Sequence, residues 1–176
     1  MRKLRMSELN RLTTEEFKEA VKNPVVVVLD NVRSVLNVGS VFRTSDAFRI
    51  QEVHLCGVTA TPPGKEMNKT ALGATESVDW HYFENTTDSL KKLKSEGFLL
   101  LALEQTEGSI PLHKYDFTDK KVALIFGNEV KGVSSDALKL CDASLEIPQF
   151  GTKHSLNISV SAGIAIWQAV QVFLKK

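Results

Sequence analysis

The chain has 176 residues, the length of one domain with room for a short appendage. Its 43% hydrophobic and 24% charged residues exclude a disordered or fibrous protein, and two isolated cysteines exclude a zinc ribbon and a disulfide-stapled fold. A net charge of +1 excludes a protein that coats nucleic acid non-specifically, so a nucleic-acid site must be a local patch. No segment approaches the roughly 20 apolar residues of a membrane span. We therefore expect a cytoplasmic protein with no membrane partner.

The first 22 residues have the character of an extension. Residues 1–11 hold four basic side chains, those of Arg2, Lys3, Arg5 and Arg11, against a single acidic one. Thr13 and Glu16 have the spacing of a capping box that opens a short helix, and Pro24 lies just beyond its expected end. The helix either only packs on the body or belongs to a basic arm that contacts phosphates. We predict an extension over 1–22 and the main domain over 23–176.

The body alternates between strand and helix patterns. Strands are predicted at 25–29, 53–56, 78–82, 98–103, 122–126 and 144–147, and helices at 37–48, 89–96, 135–140 and 156–174. The first strand lacks polar alternation, which is typical of a strand covered on both faces, and residues 57–76 are predicted to be a long loop. The last helix has so little polar surface that we expect it to be buried against the sheet or a second subunit. The pattern indicates an α/β fold with a mostly parallel sheet and helices on both faces.

Several well-known motifs are absent. No two glycines are separated by a single residue, so there is no dinucleotide-binding fingerprint. Gly127 and Gly132 have the spacing of a P-loop, but Val133 stands where that loop needs its lysine. The four histidines are scattered without metal-ligand spacing, so we predict no metal and a surface or half-buried place for each. A nucleophilic serine in a Gly-x-Ser-x-Gly motif is also missing.

Three polar loops remain, over 30–43, 126–132 and 147–159. Each begins at the carboxyl end of a predicted strand, where open α/β sheets bind their ligands. The residues alone therefore predict a binding crevice. The alternative is that Asn37 and Ser155 only cap the helices that follow them.

These loops resemble the three motifs of the SpoU family of RNA 2′-O-ribose methyltransferases, in the knotted SPOUT class. The motifs read Asn37-x-Gly39-x-x-x-Arg43, then Phe126-Gly127-Asn128-Glu129-x-x-Gly132, then Ile147-Pro148-x-x-Gly151-x-x-x-Ser155-Leu156-Asn157-x-Ser159. They occur in the family's order, and the resemblance spans roughly residues 24–172. The chain departs from the family at Arg49, Val130 and Gln149, positions that affect loop flexibility and substrate fit more than the reaction.

The resemblance implies a C-terminal trefoil knot, a homodimer and S-adenosylmethionine as cofactor. Main-chain groups at Leu103, Gly127, Ile147 and Leu156 are the expected cofactor contacts. The expected catalytic residues are Arg43, which would face the substrate ribose, and Asn37, Glu129, Ser155 and Asn157, which would organise it and the knot crossing. The implied partner is RNA, single-stranded or locally opened. We favour tRNA over rRNA, because a chain of this size lacks room for a large separate RNA-binding domain.

Two other functions stay open at this point: an RNA-binding module of the same fold without activity, and methylation of a base nitrogen. The role of Arg43 is open as well. Family descriptions make the matching arginine a general base, yet neutralising an ordinary arginine at pH 7 costs roughly 7 kcal/mol. We therefore interpret Arg43 as a fork that grips a phosphate and polarises the ribose hydroxyl.

Overall fold

The computed structural model describes residues 1–174, and its centre is a sheet of seven parallel strands. The strands are β1 (Asn23–Asp30), β2 (Ile50–Cys56), β3 (Asp79–Phe83), β4 (Leu99–Leu103), β5 (Ile110–Pro111), β6 (Val122–Phe126) and β7 (Ala143–Glu146), in the spatial order β3-β2-β1-β6-β4-β7-β5. The helices are α1 (Thr14–Glu19), α2 (Val35–Ala47), α3 (Lys65–Ala71), α4 (Ala74–Ser77), α5 (Thr86–Ser95), α6 (Ser135–Leu138) and α7 (Ile158–Val170). Short 3-10 turns lie at Met6–Glu8, Leu112–Lys114 and Gln171–Phe173.

Strand β1 lies near the middle of the sheet and is covered on both faces, as its unbroken apolar run predicts. Val25, Val27 and Leu29 belong to the core on one face. Val26 and Val28 belong to the core on the other, and all five side chains are fully buried. Helices α2 and α7 contribute to the first core and α5 and α6 to the second, so the predicted α/β fold with helices on both faces is confirmed.

The parallel register brings the carboxyl ends of the central strands to one edge of the sheet. Leu29 of β1 pairs with Phe126 of β6, and β4 and β7 pair so that Leu103 lies beside Leu145. The loops that follow these strands therefore start from a common edge, where ligand sites of open sheets are built. Whether the chain crossing at this edge forms a trefoil knot stays a prediction.

The structure corrects four details of the sequence prediction. Residues 57–76 are not a plain loop, because α3 lies within this range and α4 extends just past its end. Helix α3 buries Met67 and Ala71, and α4 buries Ala74 and Ser77. The short strand β5 was missed. His54 is neither exposed nor half-buried: it is fully enclosed, with ring nitrogens 2.7 Å from Ser89 Oγ and 3.1 Å from Glu52 Oε1.

The fourth correction concerns the helix caps. Asn37 is not the N-cap of α2, because Ser34 takes that position and its Oγ accepts a hydrogen bond from the Asn37 amide. Ser155 is not the N-cap of α7, because Asn157 is, and its Oδ1 accepts from the Ser159 amide at 2.8 Å. The alternative in which Asn37 and Ser155 serve only as caps is therefore wrong.

The extension has the predicted capping box, in which Thr13 Oγ1 accepts from the Glu16 amide and the Glu16 carboxylate accepts from the Thr13 amide at 2.8 Å. Phe17 is buried in the core of the body, so α1 packs on it. The division at residue 22 stays a prediction. No helix within residues 1–174 is long and apolar enough to cross a membrane.

Helix α7 is buried on one face only. Ile158, Ala162 and Ile166 pack into the core, whereas Val160, Ile164 and Trp167, spaced by four and three residues, remain 39–49% exposed. This spacing puts the three exposed side chains on one face of the helix. The sheet thus covers part of the apolar surface of α7 and leaves an apolar stripe uncovered.

Candidate active site

A cavity of about 650 Å³ opens at the carboxyl edge of the sheet, between the loops that follow β4, β6 and β7. All four residues expected to contact a cofactor line it: Leu103, Gly127, Ile147 and Leu156. Glu129, Ser155 and Asn157, three of the five expected catalytic residues, line it as well. Its size falls in the usual range of small-molecule sites, and its wall combines apolar side chains with loop backbone.

A row of hydrogen bonds joins one residue from each of the three motif loops. Asn37 Nδ2 donates to Glu129 Oε1 at 3.2 Å, and Asn157 Nδ2 donates to Asn37 Oδ1 at 3.2 Å. Asn157 Oδ1 in turn accepts from the amide and hydroxyl of Ser159 at the start of α7. The predicted convergence of the three loops is therefore observed, and it is side-chain amides that connect them.

The Glu129 carboxylate holds the first motif loop by its backbone. Its two oxygens accept hydrogen bonds from the amides of Arg33 and Ser34, both at 3.0 Å. Partial burial acts to raise the pKa of Glu129, but these hydrogen bonds and the one from Asn37 outweigh it, so the pKa is lowered from its ordinary value of 4.5. Glu129 is therefore a fixed anion at neutral pH and is not poised to exchange a proton.

The second motif loop is a tight backbone turn. Asn128 and Gly132 exchange amide-to-carbonyl hydrogen bonds of 3.0 and 2.9 Å, and Gly132 has a φ of 67°. A Cβ at Gly127 would lie only 2.0 Å from the carbonyl carbon of Gly132 and 2.1 Å from the amide nitrogen of Val133. Only glycine at 127 lets the two sides of this turn approach so closely, which keeps backbone exposed to the cavity.

Glu104 and Gln105 follow β4 and line the cavity, but they are not among the site residues that the sequence predicts. Glu104 Oε2 accepts from the Val133 amide at 2.9 Å and so fixes the end of the second motif loop. Gln105 Nε2 donates to the His154 carbonyl at 2.9 Å and so connects to the third. The signal was available, because the rule that selected the other three loops applies equally to the end of β4.

Arg43 is the expected catalytic residue that neither lines the cavity nor takes part in the row of hydrogen bonds. It is exposed on α2, it is not among the residues that line the cavity, and its side chain has no hydrogen bond or ion pair within residues 1–174. Ser155 lines the cavity but is not part of the row formed by Asn37, Glu129 and Asn157. Among residues 1–174, no group of three or more His, Cys, Asp or Glu side chains is arranged to hold a metal ion.

Comparison with known proteins decides the family. The model of the SpoU rRNA Methylase family matches residues 24–167, a range that contains all three motif loops. The chain belongs to the SpoU methylase family. The tRNA (guanosine(18)-2′-O)-methyltransferase of Thermus thermophilus is 31% identical over 169 residues, which cover 96% of this chain and 86% of that protein. A 23S rRNA (guanosine-2′-O-)-methyltransferase of Neisseria meningitidis is 30% identical over 89% of this SpoU chain and 62% of its own length.

Solved structures agree with the architecture of this SpoU protein. The TrmH/SpoU tRNA modifying enzyme of A. aeolicus superimposes with a TM-score of 0.80 at 27% identity, over 92% of this chain and 81% of that one. The AdoMet-bound rRNA methyltransferase of Sinorhizobium meliloti superimposes with a TM-score of 0.79 at 28% identity, over 87% of this chain and 59% of that one. The expected fold and family are thus confirmed.

Proposed function

We propose that the protein transfers the methyl group of S-adenosylmethionine to a ribose 2′-hydroxyl of RNA, and that the RNA is a tRNA. The observation that supports this most strongly is that the second and third SpoU motif loops line one cavity and that Asn37 of the first loop is hydrogen-bonded to them through Glu129 and Asn157. Relatives named as tRNA and as rRNA 2′-O-methyltransferases both match, so rRNA is the second candidate substrate.

The cavity fits the cofactor. Leu103 and Ile147 offer apolar surface for a flat base, while Gly127 leaves main chain rather than side chain at the wall. We assign cofactor contacts to the main chain at these three positions and at Leu156. When bound, S-adenosylmethionine would supply an electrophilic methyl group on a sulfonium sulfur, which would leave as a neutral thioether, with the proton of the ribose hydroxyl released to solvent.

The chain's own residues then have two tasks: to align the ribose oxygen with the methyl carbon and to stabilise the charge that develops on that oxygen. Holding the ribose oxygen in line with the methyl carbon contributes about 7–11 kcal/mol to catalysis. We assign this positioning to Asn37, Ser155 and Asn157, with Glu129 fixing the loop that carries Asn37. Arg43, whose charge is free of partners within residues 1–174, is the fork that holds a substrate phosphate and stabilises charge on the ribose oxygen.

The target nucleotide must leave any helix, because its 2′-hydroxyl has to reach the cavity. Residues 1–11 do not line the cavity, and we propose that their basic side chains contact RNA phosphates. Within this proposal residues 1–22 are an extension of the methyltransferase domain, 23–176, whose C-terminal part forms a trefoil knot. We place the protein in the cytoplasm, where its RNA substrates are found.

We also propose that the protein is a homodimer. The support is the stripe of Val160, Ile164 and Trp167 on α7, since contiguous apolar surface of this kind marks association sites in soluble proteins. A second copy is its occupant, because a helix face can pack against its own copy about a twofold axis.

The test is incubation of the protein with radiolabelled S-adenosylmethionine and separate tRNA and rRNA fractions. Nuclease digestion and mass spectrometry then locate the label. We expect ribose-methylated nucleotides from the tRNA fraction and a large loss of label with Asn37→Ala. Label on a base would refute ribose methylation, and label only in rRNA would select the second substrate. Binding of both cofactor and RNA without any transfer would identify a non-catalytic module.

A further inference from the structure

A second cavity, of about 990 Å³, shares a wall with the first. All residues of segment 128–133 except Glu129 line both, so a ligand that fills one lies beside a ligand that fills the other. The opposite wall of this cleft includes Asp30 at the end of β1, Asn31 and Arg33 in the loop that follows it, and Val58 after β2. None of the roles assigned above uses it.

The walls of the cleft are held together by hydrogen bonds. Asn128 Nδ2 donates to the Asn31 carbonyl at 2.8 Å, and the Ser134 amide donates to Asp30 Oδ2 at 2.7 Å. The Glu129 carboxylate adds the bonds from the amides of Arg33 and Ser34. The cleft is therefore a built feature of the fold, and Arg33 is fixed by its own backbone at the rim.

Three charged side chains line the cleft, and they differ in whether they already have a hydrogen-bond partner. Arg33 and Lys131 are exposed, and neither side chain has a hydrogen bond or ion pair within residues 1–174. The buried carboxylate of Asp30 is already engaged, because it also accepts bonds from Thr86 Oγ1 at 2.5 Å and from Asn31 Nδ2 at 2.9 Å. The cleft thus presents two available cations and no available anion, which favours an anionic ligand.

Apolar surface lies next to these cations. Val58 and Val130 line the cleft and are 68% and 81% exposed. A ligand that combines a phosphate with a flat, partly apolar ring satisfies both features, and the arginine can grip the phosphate through its fork or stack on the ring.

We propose that this cleft binds a nucleotide of the substrate RNA that neighbours the methylated one, with Arg33 and Lys131 on its phosphate. This inference rests on the proposed function. The shared wall supplies the reason for neighbouring nucleotides: one lies at the mouth of the cofactor cavity while the next occupies the cleft across segment 128–133.

The experiment measures binding of a fluorescent single-stranded RNA of about 12 nucleotides between about 50 and 200 mM salt. Each phosphate contact in a single strand contributes about 0.7 to the slope of log K against log salt. We expect Arg33→Gln to reduce the magnitude of this negative slope by about 0.7, and the double variant Arg33→Gln with Lys131→Gln to reduce it by about 1.4. The charge-conserving Arg33→Lys should keep the slope. Lys18→Gln with Lys114→Gln is the matched control and should also leave the slope unchanged, because both lysines are exposed, lie outside both cavities and have no side-chain hydrogen bond or ion pair within residues 1–174.

Methyl transfer and calorimetry with S-adenosylmethionine separate this proposal from the proposed function. Arg33 lines the cleft but not the cofactor cavity. Arg33→Gln should therefore raise the KM for RNA about tenfold and leave kcat and the cofactor Kd unchanged. If the wild type methylates RNA and Arg33→Gln has the wild-type slope and KM, the cleft proposal is refuted and the function stands. If the wild type neither binds nor methylates RNA, the proposed function fails and the cleft proposal fails with it.

Discussion

Gly127 is the position where one added methyl group should do the most damage to the cofactor cavity. A Cβ there would meet the carbonyl carbon and oxygen of Gly132 at 2.0 and 2.3 Å and the Val133 amide at 2.1 Å. All three are backbone atoms, so no side chain can swing aside. The turn closed by Asn128 and Gly132 would have to open by more than about 1 Å to reach ordinary contact distance.

The cost follows from what must move. Overpacking of a tight site typically costs about 1–3 kcal/mol. Opening the turn also stretches the two hydrogen bonds between Asn128 and Gly132, each worth about 1 kcal/mol. Gly127→Ala should therefore lower the free energy of unfolding by about 3–5 kcal/mol, which corresponds to a fall in Tm of roughly 10 °C for a chain of this size.

Differential scanning calorimetry measures the Tm, and isothermal titration with S-adenosylmethionine measures the Kd. Gly151→Ala is the matched control, because a Cβ there has no neighbour within 4 Å. We expect the control to retain the wild-type Tm within about 2 °C and Gly127→Ala to lose most of its cofactor affinity. A Gly127→Ala protein with the Tm and the Kd of the wild type would refute the assignment of this turn as a rigid cavity wall.

Three further predictions concern charge, catalysis and assembly. The pKa of Glu129 is lowered in the folded protein, so its carboxylate stabilises the fold above pH 4.5, and this stabilisation is lost as the pH falls through the lowered pKa. Glu129→Gln should therefore lower the free energy of unfolding near neutral pH. In urea titrations this difference from wild type should shrink as the pH falls from 4.5 through the lowered pKa; a pH-independent difference would contradict it. Arg43→Lys should lower kcat/KM about 30–100-fold with an unchanged Tm, because lysine lacks the fork; substantial retained turnover would favour a proton-accepting role. Ile164→Glu on α7 should produce monomers in sedimentation velocity, whereas Val21→Glu, also at an exposed apolar residue, should not; dimers of Ile164→Glu would exclude the α7 stripe as the interface.

The sequence identified the central strands and two of the three loops that line the cavity for a simple reason. Fully apolar runs such as Val25–Leu29 form strands covered on both faces, and parallel strands place the loops that follow them at one edge. It failed over 57–76 because α3 and α4 are short and their N-cap residues, Gly64 and Gly73, have no side chain that could cap them. Only tertiary contacts, which bury Met67 against the core, make these residues helical.

The helix caps failed for a different reason. Both Ser34 and Asn37 are good capping residues, and sequence preference does not choose between two such residues three positions apart. The structure chooses because Glu129, distant in sequence, binds the amides of Arg33 and Ser34 and fixes where α2 begins. Asn37 is thereby released to bind Glu129 and Asn157 with its side chain. The site residue and the cap could be told apart only through this long-range contact.

The way in which the carboxylates at the cavity are satisfied bears on RNA binding. Glu129 takes backbone amides from the first motif loop, and Glu104 takes those of Val133 and Gln105. Because peptide N–H groups rather than side-chain cations neutralise these anions, the charges of Arg33, Lys131 and Arg43 stay available. A chain with a net charge of only +1 can therefore present two available cations, Arg33 and Lys131, on one cleft where we propose that a substrate phosphate lies. Pairing the same carboxylates with these cations would leave the global charge unchanged and remove that local field.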